Sequence, residues 1–324
     1  MHGHNNEKGK VLLASPRGFC AGVVRAIDIV NLALERFGLP LYVRREIVHN
    51  KYVVNELRKK GTIFIEDLDE VPPGNRVIFS AHGVSPEIRT EALRRNLQVI
   101  DATCPLVTKV HMEAIKYARD GYTILLIGHR DHDEVIGTLG EAPHAIRVLI
   151  SAEEIDGLQV PDPQRVAYLT QTTLSLDDTR QIVERLRQKY PEIRSPASAD
   201  ICYATQNRQA AVLELARRAE LILVVGSANS SNSRRLVEVA MTQGVPAHLI
   251  DEIDSIQPGW LSGIRLIGLT AGASAPESLV ESVLHYLGGL GYPEVESLGS
   301  IREDVEFALP PELRPAGTNS RERA

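Results

Sequence analysis

Residues 10–38, KVLLASPRGFCAGVVRAIDIVNLALERFG, read as a β-branched and apolar strand (Lys10 to Ser15), a loop bearing Cys20, and an amphipathic helix (Gly22 to Phe37) closed by Gly38. The same plan recurs outward along the chain. Strand-like runs follow at Leu41 to Val48, Arg76 to Ala81, Gln98 to Thr103, Tyr122 to Gly128, Val166 to Thr170, Leu221 to Gly226 and Arg265 to Thr270, most of them followed by helix-like stretches. Such alternation predicts an α/β fold on mostly parallel sheets, whose ligands gather at the carboxyl ends of the strands.

The block around Cys20 has two counterparts, DATCPLVTKVHM around Cys104 and ADICYATQNRQAAV around Cys202, each just before a helix-like stretch. The next polar loop comes at a nearly constant distance. His49 lies 29 residues after Cys20, His132 lies 28 after Cys104, and Ser230 lies 28 after Cys202. A second polar loop then follows in each block, carrying His82 (SAHGVSPE), Thr172 (TQTTLS) and Ser274 (TAGASAP). Recurrence of βα units explains the loop spacing, but not why the three cysteines occupy equivalent places. The pattern predicts three similar βα domains in pseudo-threefold arrangement around a central metal cluster. The expected divisions are an N-terminal extension (1–9) without order, domains at 10–100, 101–199 and 200–290, and a tail (291–324) partly packed on the core with a disordered end.

At 324 residues and 43% hydrophobic content the chain has ample material for a core. The net charge of -6 speaks against a nucleic-acid surface. No run approaches the roughly 18 apolar residues that span a bilayer, and residues 1–10 lack the apolar centre of a secretory signal, so the expectation is a cytoplasmic protein without membrane contact. Cysteines 84 and 98 residues apart match no short zinc motif, and three of them cannot form an internally paired disulfide scaffold.

Thiols at helix starts are expected to have lowered pKa values and to suit soft metals: zinc, copper(I) or iron–sulfur clusters. Zinc held by three cysteines and one histidine, as in a hydrolase of a phosphorylated metabolite, competes with a cluster that leaves one iron open. Spacing alone does not separate them. His49, His82 and His132 fall where strands yield to helices and can donate to phosphate oxygens. In GHRDHDEV, Glu134 stands two residues after His132 and can face the same cavity, although spacing alone slightly favours Asp131, Asp133 and Glu134 as solvated or capping acids. Ser230, Ser231 and Asn232 open a helix after LILVVG, a natural anion site that also suits simple N-capping, and Thr172 and Ser274 stand similarly.

The ordered set PRGFCAGV, REIVHN, FSAHGVS, DATCPLVTKVH, GHxxHxEV, TQTTLS, ICYAT, GSxNSSNS and TAGASAP resembles the 4-hydroxy-3-methylbut-2-enyl diphosphate reductase family of the non-mevalonate isoprenoid pathway, from about Lys10 to Pro315. Gln206 and the pair Arg130-Asp131 are small departures. The resemblance implies one 4Fe–4S cluster held by Cys20, Cys104 and Cys202 with an open fourth iron. It implies Glu134 as proton donor, and His49, His82, His132, Ser230, Ser231, Asn232 and Ser274 as diphosphate ligands, with Thr172 near the substrate hydroxyl. A two-electron reductive dehydroxylation of the allylic diphosphate would follow, with ferredoxin or flavodoxin as donor, in a monomer or weak homodimer. A non-enzymatic iron–sulfur sensor is the rival from another class; it would need an output element, and the chain has no separate DNA-binding segment.

Overall fold

The computed structural model describes residues 8–314. The expected disorder of residues 1–7 and of the end of the tail from 315 onward lies outside the described residues. The first part of the chain comprises β1 (Lys10–Ala14), α1 (Ala21–Phe37), β2 (Tyr42–Arg44), α2 (Lys51–Lys59), β3 (Ile63–Ile65), β4 (Arg76–Phe79), α3 (Pro86–Arg94) and β5 (Gln98–Asp101). Next come α4 (Pro105–Arg119), β6 (Thr123–Ile127), α5 (Asp133–Glu141), β7 (Ile146–Leu149), β8 (Val166–Thr170) and α6 (Leu176–Lys189). The last part holds α7 (Tyr203–Ala216), β9 (Leu221–Val225), α8 (Ser231–Thr242), β10 (Ala247–Ile250), β11 (Leu266–Ala271), α9 (Glu277–Gly289) and β12 (Glu294–Leu298).

These strands form three sheets, ordered β3-β2-β4-β5, β7-β6-β8 and β10-β9-β11-β1-β12, with parallel pairing throughout. Strands β8 (VAYLT) and β9 (LILVV) are buried at every position, as parallel strands covered on both faces are. Apolar clusters accordingly lie on both faces of each sheet. In α1 the buried positions Val23, Ala26, Ile29, Val30 and Ala33 make one stripe at helical spacing, and each wholly buried Ile or Val contributes about 1.5–3 kcal/mol. Gly38, at φ 68°, ends the helix and donates its N–H to the Leu34 carbonyl at 2.9 Å.

Three features depart from the sequence expectation. The division at residues 10–100 groups β1 with the first domain, yet β1 lies in the third sheet between β11 and β12, with Val11 opposite both Ile267 and Val295. Its helix α1 nevertheless packs on Val43, Ile78 and Ile100 of the first sheet's core, so Ser15 to Phe19 crosses between units. The run Leu41 to Val48 is not one strand, because Arg45 takes φ 57°, turns the chain after Arg44 and directs residues 46–50 toward the centre. Finally, Gly9 of the N-terminal extension is tied down, its N–H donating to Gly291 O at 2.9 Å.

Candidate active site

The loops at the carboxyl ends of eight strands, β1, β2, β4, β5, β6, β8, β9 and β11, carry Cys20, His49, His82, Cys104, His132, Thr172, Ser230 and Ser274 in turn. Together with Glu134, Cys202, Ser231 and Asn232 they line a single cavity, so every residue singled out in the sequence is brought to one place.

Cys20, Cys104 and Cys202 are the N-caps of α1, α4 and α7. The Cys104 and Cys202 pKa values do not fall as helix position alone predicts. Burial pushes the Cys104 thiol up to about 12 and the Cys202 thiol up to about 11, each raised further by neighbouring thiols and only partly opposed by N–H donors such as those of Leu106 and Thr205. Desolvation therefore outweighs the helix-start amides. Two such thiols beside that of Cys20 suit a cation that takes the place of thiol protons. Room for it is kept by Gly22, where a Cβ would stand 2.8 Å from Cys104 Sγ and 3.8 Å from Cys20 Sγ. The donor set, the shared cavity and that cradle fit a thiolate-held metal group.

The imidazoles form a second cluster. His49 and His82 stack at 3.9 Å between centroids, and His132 meets them edge-on at 5.3 and 5.9 Å. Burial, aided by the mutual charge of the rings, holds His82 well below the ordinary histidine value and His132 down to about 3. His82 and His132 are thus neutral when the cavity is empty, and an anion would draw protons to them. His49, His82 and Asp133 also bring ligand atoms within 4.8 Å of one another, but Asp133 is already engaged in an ion pair with Arg45.

Of the three acids in GHRDHDEV, Asp131 is exposed, Asp133 opens α5 against Arg45, and Glu134 is turned inward with 3% exposure. Burial raises the Glu134 carboxyl to about 7 even though it accepts hydrogen bonds from Thr172. The polar side of the cavity is cross-linked. Ser274 Oγ donates to the His49 carbonyl at 2.9 Å, Asn232 Oδ1 accepts from the Ala273 N–H at 2.8 Å, and Ser230 caps α8.

Several lining residues escape the sequence reading. Thr173 Oγ1 donates to Ser231 Oγ at 3.1 Å, and Gln171 Nε2 reaches Thr173 at 2.9 Å. Thr205 lies 3.2 Å from Cys202 Sγ, and Phe307 enters from the chain's last segment. The TQTTLS run offered Thr173 alongside Thr172, and Thr205 stands three residues into the helix that Cys202 caps; Phe307 belongs to no repeat.

Fold and site define an α/β enzyme whose active centre is assembled where three parallel sheets meet. The sequence model of the LytB protein family matches residues 11–288, and the chain belongs to that family. A curated relative, the 4-hydroxy-3-methylbut-2-enyl diphosphate reductase of Acidothermus cellulolyticus, is 57% identical over 308 residues, covering 95% of this chain and 91% of that protein. The protein of the same name from Leifsonia xyli subsp. xyli is 54% identical over 306 residues, covering 94% and 91%. Among solved structures, the E-1-hydroxy-2-methyl-but-2-enyl-4-diphosphate reductase from Plasmodium falciparum superposes with a TM-score of 0.92 at 41% identity, covering 94% of this chain and 97% of that one. A second, (E)-4-hydroxy-3-methyl-but-2-enyl diphosphate reductase, the terminal enzyme of the non-mevalonate pathway, gives 0.62 at 31% identity, with 87% and 99% covered. Among the described residues no helix is long and apolar enough to cross a membrane.

Proposed function

We propose that this protein reduces (E)-4-hydroxy-3-methylbut-2-enyl diphosphate to isopentenyl and dimethylallyl diphosphates, as the names of its relatives suggest. The observation that carries the reading is one cavity lined by three thiols, three imidazoles and a buried acid titrating near neutrality. Cys20, Cys104 and Cys202 would hold one 4Fe–4S cluster whose fourth iron takes no protein thiolate. When bound, that group supplies electrons singly and Lewis acidity at the departing hydroxyl.

The remaining work falls to the chain's own side chains. His49, His82, His132, Ser230, Ser231, Asn232 and Ser274 bind the diphosphate and orient the carbon skeleton, lowering the entropic part of the barrier. Glu134, raised to about 7, keeps a protonated fraction at neutral pH and, with Thr172 beside it, delivers a proton at the hydroxyl end so that water departs. Overall the C4–O bond breaks, two electrons and two protons enter, one proton leaves in water and the other ends on carbon. Protonation at either end of the allylic skeleton accounts for two products. The electrons come from a small redox protein of the ferredoxin or flavodoxin class, and the cytoplasm is the compartment that supplies such a donor and keeps the thiols reduced.

Anaerobic turnover of the hydroxylated diphosphate with a reduced viologen dye tests the assignment; no consumption by iron-replete protein would refute it. A brown protein that bleaches in air supports the cluster. A colourless, zinc-loaded and hydrolytically active one would instead establish the zinc alternative.

A further inference from the structure

After β12 the chain does not leave the molecule. It starts back at Gly299, whose φ of 105° and close approach to Ser15 (a Cβ there would lie 2.1 Å from the Ser15 carbonyl oxygen) leave no room for another residue. Glu303 then pairs with Arg208 of α7 at 3.0 Å, and Arg208, wholly buried, donates to the Gly18 carbonyl at 2.6 and 3.0 Å just before Cys20. The Ala308 carbonyl accepts from Arg25 Nε at 2.7 Å, while Arg25 Nη1 holds the Thr103 carbonyl just before Cys104 at 3.0 Å. Leu309 packs against the same apolar core as Phe19 and Cys20. This segment is therefore fastened to the backbone in front of two cysteines and to the helix that the third one caps.

Between those fastenings, Phe307 lines the thiol cavity. It also lines an outer groove of about 760 Å³ that runs between α1 and residues 303–309, as does Tyr203. Residues that border both spaces are the partition between them. We infer that residues 299–309 form a strap shielding the thiol centre from solvent, with Glu303 as the positioning residue that holds it down and Phe307 as the side chain that closes it.

The shield rests on the proposed iron–sulfur centre, and it is tested on stability of that centre rather than on turnover. Anaerobically purified, iron-replete wild-type protein is compared with Phe307→Ser, Phe307→Leu and Glu303→Gln, following loss of visible iron–sulfur absorption in air and, separately, with an iron chelator. The expected result is severalfold faster bleaching in Phe307→Ser and Glu303→Gln, with Phe307→Leu close to wild type because it keeps an apolar plug. The leucine and glutamine variants preserve most of the volume and are chosen to fold. Wild-type bleaching rates in both Phe307→Ser and Glu303→Gln overturn the shield alone. A wild-type protein that binds no iron removes the cluster and the shield with it.

Discussion

Thr172 donates twice to the carboxyl of Glu134, from its backbone N–H at 2.7 Å and from Oγ1 at 2.9 Å. The two residues follow different strands of the second sheet, Glu134 in the first turn of α5 after β6 and Thr172 in the loop after β8. Both hydrogen bonds favour the ionised carboxylate, whereas burial favours the acid, and burial prevails.

Turnover should therefore depend on a group ionising near pH 7. As the proposed proton donor, Glu134 holds its proton below that point and has lost it above, so the rate should fall as pH rises through about 7. Glu134→Gln should keep the thiol-bound group and lose most turnover together with this pH limb, by about 10²–10⁴-fold for a general acid. Full activity in that variant would remove Glu134 from the mechanism. For stability the sign is the same: between the unfolded value of 4.5 and about 7 the unfolded state ionises first, so stability declines with pH across this window, and Glu134→Gln should flatten the decline.

Thr172→Val removes the Oγ1 donor and leaves the backbone one. The carboxyl should then titrate higher, and the alkaline limb of the rate profile should move to higher pH. A limb that stays put, or moves down, would show that the hydroxyl does not tune the acid.

Loading the thiol centre must displace protons held by groups near 12 and 11. Reconstitution with iron and sulfide should release protons, measurable by pH-stat, and apparent affinity should weaken as pH falls. Gly22→Ala places a methyl 2.8 Å from Cys104 Sγ, so it should fold by circular dichroism yet hold little iron. Normal iron content in that variant would show that the cradle is wider than the geometry indicates.

Diphosphate binding should take up protons, because His82 and His132 are neutral in the empty cavity. Calorimetry in buffers of different ionisation enthalpy reads the uptake directly, and His132→Gln should diminish it. Binding without proton exchange would mean that the rings act only as neutral donors.

Away from the cavity, Lys109 of α4 donates to the fully buried carboxylate of Asp200 at 2.7 Å, two residues before Cys202. Lys109→Met strips that partner from a group that burial already raises to about 6, at a cost of about 3–5 kcal/mol. Denaturant titration should show a larger loss at pH 8 than at pH 5, where Asp200 can take a proton instead.

Repeat structure made much of this legible in the sequence. Three cysteine blocks with matching loop intervals identify nine residues that share one cavity, because parallel βα units send equivalent loops to the same side, and Glu134, Ser231 and Asn232 stand one or two positions beyond two of them. Strands such as β8 and β9, buried on both faces, stand out as continuous apolar runs. The strands that do not stand out are β3, β7, β10 and β12, three to five residues each. In β12 (EVESL) every position is exposed or half-buried, so an edge strand there carries no apolar signature. Nor does a strand's composition say which sheet it joins: KVLLA suits any parallel sheet, and only the whole topology puts β1 beside β11 and β12. Phe307 was invisible for a related reason, since its place in the cavity depends on Arg208 and Arg25 drawing the last segment inward from far along the chain.

The interleaving of β1 between β11 and β12 also bears on how the protein is made. During vectorial synthesis on a ribosome, β1 emerges well ahead of its partners, and both of its hydrogen-bonding edges must wait for strands more than 250 residues later. Until then an apolar strand remains unpaired, a hazard for association with other nascent chains and an occasion for chaperone binding. Completion of the third sheet thus waits for β11 and β12, and it comes together with the docking of α1 against the first sheet, so Cys20 reaches its final place only after those strands have been made.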